Sequence, residues 1–343
     1  MTFRLVRWYP FPLGGRVRLA GMLAAALATA PAAPALAEEP LRFPVDCQLG
    51  TTCFIQNYVD RAPGRGVQDF TCGSLSYNGH NGTDIRLATD AEMHAGVDVL
   101  SASSGTVLGV RDGMPDIRPG AAGAPDIKGR ECGNGVLIGR ADGWRLQYCH
   151  LREGSVTVSK GQEVRPGDVL GQIGLSGRTQ FPHLHFTVRD QAGRVFDPFD
   201  ARQQDEACSL PDRRTLWRDL DAGDYQPGAP LSAGFSEAVP PYRAVKTGEA
   251  AIPTLAPEAP ALVFWAHFFG LQAGDRIELD VTGPDGQQIA TKTHRMGRDR
   301  ATQMLAVGRK RRGDWPAGTY HGEARLVRDG EVYMRIARSI PGG

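Results

Sequence analysis

Three short segments carry side chains able to do chemistry together. In Phe181-Pro182-His183-Leu184-His185-Phe186 the two-residue period of a strand turns His183 and His185 to one face and Leu184 and Phe186 to the opposite, apolar one. Taken alone, such a pair is more often two polar residues on a half-exposed strand. In Gly79-His80-Asn81-Gly82-Thr83-Asp84 a histidine precedes a carboxylate by four positions, and Gly82 lets the chain fold back so that both side chains reach one point. Two imidazoles and a carboxylate suit zinc, and three protein ligands are what a catalytic zinc site uses while keeping a fourth position for water. Tyr148-Cys149-His150-Leu151, at a strand end, adds a histidine with no metal duty.

The order H-x-G-x-D, Y-x-H-L, H-L-H resembles the lysostaphin-like (LytM-type) zinc metalloendopeptidases, a family of murein hydrolases, over residues from about Phe70 to Phe199. Gly161-Gln162-Glu163-Val164-Arg165-Pro166-Gly167 and Gly174-Leu175-Ser176-Gly177 also look like the loops that precede the family's H-x-H strand. The resemblance implies that His80, Asp84 and His185 hold one Zn2+ per chain. It makes His150 and His183 the catalytic histidines, sharing proton transfer and oxyanion stabilisation in an order the sequence leaves open. It further implies hydrolysis of peptide bonds in peptidoglycan stem peptides or cross-bridges. Some LytM-like domains have lost ligands and regulate other wall hydrolases; that non-catalytic role is the alternative here, although no ligand is missing.

His94-Ala95-Gly96-Val97-Asp98 also fits H-x-G-x-D, and both pairs cannot be primary ligands. The segment from Val97 through Val99 and Ala102 to Gly105-Thr106-Val107 resembles the stretch that follows the family's ligand pair. That likeness favours His80 and Asp84, makes residues 88–93 an insertion and leaves His94 a surface histidine. Asp112, Asp116 and Asp126 suggest a calcium loop, against which stands the commoner case of solvated loop carboxylates. Arg309-Lys310-Arg311-Arg312 suits acidic polymer or lipid, but a solvated hairpin tip is the simpler reading. His267, His294 and His321 read as structural or exposed, and Trp265, Phe268 and Phe269 as core.

An all-β chain must position these groups. Short apolar runs with glycine punctuation recur at 106–110, 135–138, 144–149, 156–158, 169–173 and 184–188, the pattern of antiparallel strands. A helical turn is expected only at 88–94 and 214–220. The domain plan is an export signal at 1–37, an N-terminal segment at 38–67, the LytM-like domain at 68–200, a Pro- and Ala-rich linker at 201–259 and a small β-sandwich at 260–343. Its strands are expected at 261–268, 276–281, 288–293, 318–326 and 332–336. Because every candidate ligand precedes Asp200, the sandwich is expected to be dispensable for chemistry and to meet the wall or a protein partner.

Arg4, Arg7, Arg16 and Arg18 precede the apolar run Leu19 to Leu27, and Ala35-Leu36-Ala37 offers a small-residue cleavage site, so the mature chain is expected to start near Glu38 in the periplasm or outside the cell. No later stretch has the roughly 20 apolar residues a bilayer span needs, so no integral membrane segment is expected after cleavage. Charge nearly cancels, with 39 basic and 38 acidic residues, which argues against a nucleic-acid partner. Six cysteines, Cys47, Cys53, Cys72, Cys132, Cys149 and Cys208, suit three disulfides in an oxidising compartment. Cys132 with Cys149 is the first pairing expected, and Cys208 is a candidate to bridge back to Cys47, Cys53 or Cys72.

Overall fold

The computed structural model describes residues 39–202, 214–220 and 222–342. The expected signal segment and Cys208 lie outside the described residues. In chain order the elements are β1 (Phe54–Asn57), β2 (Thr83–Arg86), α1 (Asp90–Ala95), β3 (Asp98–Leu100), β4 (Gly105–Arg111), β5 (Asn134–Gly139), β6 (Arg145–Leu151), β7 (Glu163–Val164), β8 (Val169–Gln172), β9 (His183–Arg189) and β10 (Val195–Phe196). There follow β11 (Ala229–Ser236), α2 (Tyr242–Thr247), β12 (Ala261–Leu271), β13 (Arg276–Thr282), β14 (Gln288–Arg295), β15 (Arg300–Lys310), β16 (Gly318–Arg328) and β17 (Glu331–Gly342). The fold is all-β with antiparallel sheets, as expected.

The first sheet runs β1-β2-β9-β6-β5-β4-β7, with β10 on β9. Its registers align two kinds of transverse row. Val136, Tyr148 and Phe186 stand opposite one another and face the core, where Ile85 and Leu184 are also fully buried. On the other face Gly135, Cys149, His185, Asp84 and Asn57 form one row across five strands. The alternation of apolar and polar residues fixes this register, since a slip of one residue would turn every core side chain to the wrong face.

Cys132 and Cys149 are joined, as are Cys47 and Cys53, and no described cysteine is free. Gly135 makes room for the first bridge, because a Cβ there would lie 3.0 Å from Cys132 Sγ and 2.5 Å from the Tyr148 carbonyl oxygen.

In the C-terminal part, β11-β12-β15 and β14-β13-β16-β17 enclose a second core that includes Phe264, Phe268, Ile277 and Leu279. The sandwich is therefore present, with two strands that sequence periodicity misses. β11 lies inside the expected linker; Pro230 hides it, and is tolerated because β11 is an edge strand. β15 has no apolar alternation and is half exposed, yet it pairs along the length of the almost wholly buried β12. Residues 156–158 are not a strand, and 214–220 is not helical: Trp217 bridges to Leu41 and stacks within the first core.

The two cores also meet. Phe269, Ala229 and Leu231 belong to the first core, and the Phe269 ring sits edge-on to Phe54 of β1 at 5.8 Å. Phe269→Ala is expected to cost about 3–5 kcal/mol, the usual range for emptying a buried aromatic site. A urea melt should show one cooperative transition moved to lower denaturant. Truncation near Pro240, inside the expected linker, is expected to give insoluble protein; a soluble fragment 39–240 that melts cooperatively would show that the first core closes without β12.

Candidate active site

β2 and β9 bring the chemistry together by register alone: Asp84 pairs with His185 and Arg86 with His183. His80 enters from the turn before β2, where Gly79 has φ 78° and gives its N–H to Asp60 Oδ2 at 2.8 Å. The value of Gly82 is its missing side chain, since a Cβ there would stand 2.6 Å from His185 Nε2 and 2.8 Å from the Phe186 carbonyl oxygen. Its φ is not left-handed, so the expected folding back at Gly82 is achieved by close approach.

The result is a converging set of donors. Asp84 Oδ1 lies 3.1 Å from His80 Nε2 and 2.8 Å from His185 Nδ1, and the two ring nitrogens are 3.2 Å apart. Among the described residues these three form the one group of His, Cys, Asp or Glu with metal-ligand spacing. The far edge of each is held. His80 Nδ1–H donates to the Tyr58 carbonyl at 2.7 Å, and Asn57 Nδ2 donates to Asp84 Oδ2 at 2.8 Å. His185 Nε2 meets Asn81 Oδ1 and Thr187 Oγ1, both at 3.1 Å. Each of the three thus turns a lone pair inward, the arrangement a metal site would require. Nitrogen and carboxylate donors in this number fit zinc.

His150 and His183 stand beside this group. His150 has φ 65°, rare for a residue with a Cβ, and is held there by its own N–H to Cys132 O at 2.8 Å and by Nδ1 to Ser176 O at 2.7 Å. His183 Nδ1 is engaged by Phe181 O at 2.9 Å and Thr179 Oγ1 at 3.0 Å, and its Nε2 lies 3.3 Å from Asp84 Oδ1. Both rings therefore present Nε2 to the centre, with ring centroids 4.7 Å apart. Tyr77 lies against His80 and Phe181 against His183. Sequence reasoning misses Asn57, Tyr58, Tyr77 and Thr179. Only Ser176 carries a signal, through its G-x-S-G loop.

His94 is exposed, and Asp98 accepts from Gln172 Nε2 at 3.2 Å on the separate β3-β8 sheet, so this pair does not join the cluster. Asp112 accepts the N–H groups of Gly154 and Val156, and Asp116 those of Glu153 and Leu175. These carboxylates staple loops and form no cation site among the described residues.

Burial acts on His80, Asp84, His150 and His185. It pulls His80 down, but the charge and hydrogen bond of Asp84 outweigh it and hold His80 above its ordinary value. Burial pushes Asp84 up, and the neighbouring histidines, His80 first, more than reverse this. Burial holds His185 low, and holds His150 well below the imidazole range with help from the charges of His183 and His185.

The signs lead to a pH prediction for the metal-free protein. A histidine whose folded pKa is depressed stabilises the fold above the unfolded value of about 6.5 and loses that contribution as pH falls. His150 and His185 behave this way. His80, raised, contributes fully below that value and loses it at higher pH, while Asp84, depressed, keeps its contribution until the acid range. The chelated protein should therefore melt at lower temperature near pH 5 than near pH 7. A higher Tm at the lower pH would show that the His80 contribution exceeds those of His150 and His185.

Residues 78–198, which hold all five site residues, match the family described as peptidase family M23. The cell division protein DipM of Caulobacter vibrioides is 42% identical over 79 residues, 23% of this chain and 12% of DipM. The DD-carboxypeptidase/endopeptidase Mpg of Neisseria meningitidis serogroup B is 35% identical over 99 residues, 28% of this chain and 20% of Mpg. The peptidoglycan DD-endopeptidase ShyA of Vibrio cholerae is 31% identical over 109 residues, 32% of this chain and 20% of ShyA. The matches span a fifth or less of the length of these relatives.

Proposed function

We propose, from the premise that residues 78–198 form a domain of peptidase family M23, that this chain is an exported zinc endopeptidase cutting peptide bonds of peptidoglycan. The observation that carries the reading is the convergence of His80 Nε2, Asp84 Oδ1 and His185 Nδ1, with His150 and His183 beside them. A regulatory module that had lost catalysis would have no reason to keep all five. The peptidoglycan substrate is carried over from the relative named for it. Disulfides at Cys47–Cys53 and Cys132–Cys149 support an oxidising, extracytoplasmic address.

In this reading His80, Asp84 and His185 hold the ion. When bound, zinc supplies Lewis acidity toward the scissile carbonyl and the attacking water. The chain's own residues supply the rest. His150, kept neutral by burial, accepts a proton at Nε2, while its Nδ1–H stays on the Ser176 carbonyl and fixes the ring plane. His183, with its Nδ1–H on Phe181 O, presents the Nε2 lone pair to the same centre and is the second acceptor for the proton. Asn57 and the Tyr58 carbonyl keep Asp84 and His80 from rotating away.

Purified protein incubated with wall sacculi and zinc should release new peptide ends, read by mass spectrometry. Asp84→Ala and His185→Ala should each lose both stoichiometric zinc and hydrolysis. His150→Ala and His183→Ala should keep zinc and lose about 10²- to 10⁴-fold in turnover, as expected for a positioned proton-transfer group. His94→Ala and Asp98→Ala should change neither. No new ends under any condition, together with no bound zinc, would favour the non-catalytic binding role.

A further inference from the structure

A cleft of about 200 Å³ opens at the β1 edge of the first sheet, and its walls come from both halves of the protein. Gln56 and Asn57 belong to β1 and Ser76 to the loop that leads to His80; Leu271, Asp299 and Arg300 come from the C-terminal half. The cleft touches the catalytic cluster at two points. Asn57 Nδ2 holds Asp84 Oδ2, and Ser76 Oγ donates to the Tyr58 carbonyl that also receives His80 Nδ1–H. The intervening Tyr77 lies over the His80 ring at 4.4 Å. The cleft therefore adjoins the metal cluster at the β1 end of the row that carries Asn57, Asp84 and His185.

The chemistry of the lining is mixed. Leu271 is buried and gives an apolar floor, while Asn57 brings an amide. Asp299 is already engaged, because its Oδ1 takes the Ala273 N–H at 2.8 Å and shapes the turn into β15. Arg300 is exposed, and among the described residues its guanidinium makes no ion pair or hydrogen bond. A free arginine fork over an apolar floor matches a carboxylate carried on a small peptide residue.

We infer that this cleft is a substrate subsite in which Arg300, supplied by the C-terminal sheet, binds a free carboxylate of the peptide being cut. The inference rests on the peptidase reading and adds to it a specificity-determining residue outside the M23 domain. An ion pair from an exposed arginine is worth up to about fivefold in affinity once solvent screening is allowed for.

The test uses the full-length, zinc-loaded protein, its Arg300→Gln and Arg300→Lys variants, and soluble stem peptides released from sacculi, with carboxylates either free or capped as amides. For free-carboxylate peptides, Arg300→Gln should raise KM by up to about fivefold with little change in kcat, and Arg300→Lys should recover part of the loss. Amidated peptides should not distinguish the three proteins. Calorimetric Kd values measured in a His150→Ala background should follow the same order without any turnover. If the wild type cuts nothing but Arg300→Gln weakens binding of the free-carboxylate peptide, the peptidase reading fails and the subsite stands. Equal Kd for wild type and Arg300→Gln, equal loss on amidated peptides, or no binding of acidic peptide at all overturns the subsite.

Discussion

The register of β2 on β9 is the constraint on which the rest of the centre depends. Pairing Asp84 with His185 places a carboxylate and an imidazole side by side, and the same pairing sets Ile85 and Leu184 in the core. Chemistry and packing are thus two faces of one alignment. Sliding β2 by one residue would bury Asp84 among apolar side chains and expose Ile85, so the core enforces the site. The neighbouring strands extend the row, bringing Asn57 to one side of the pair and Cys149 to the other.

A buried carboxylate amid three histidines is unfavourable unless each group has a fixed partner. Backbone carbonyls supply most of those partners, Tyr58 for His80, Ser176 for His150 and Phe181 for His183. Carbonyl acceptors dictate which ring nitrogen carries hydrogen, so the backbone selects the tautomer that faces the centre. The left-handed φ of His150 is part of the same device, held by its own N–H to Cys132 and next in sequence to the Cys132–Cys149 bridge. A cation at the converging atoms would relieve the crowding of lone pairs, and would thereby couple folding of this region to metal binding.

The C-terminal sandwich is tied into this arrangement rather than hung beside it. Phe269 completes the core under β1, and Leu271 and Arg300 face the cleft next to Asn57. β1 thus packs on the sandwich through Phe54 and steadies Asp84 through Asn57. Whatever shifts the sandwich shifts the wall of the cleft, which gives the second half of the chain a physical route to influence the first.

Four of the five histidine and aspartate positions stood out in the sequence because strand alternation and short spacing are local, while His150 entered only through the family resemblance. His183 and His185 share a face by period, and His80 and Asp84 are four residues apart. Most of the sheet strands were legible for the same reason. The residues that orient the five were not: Asn57 meets Asp84 across 27 positions, and the carbonyls of Tyr58 and Ser176 carry no side-chain signature at all. Pro230 in β11 and the half-exposed β15 escaped because they are strands by partnership with β12, not by their own pattern. Sequence alone determined which groups are available to hold a metal and move a proton. Tertiary structure decided which atoms of those groups face one another, because that depends on hydrogen bonds and packing between segments far apart in the chain.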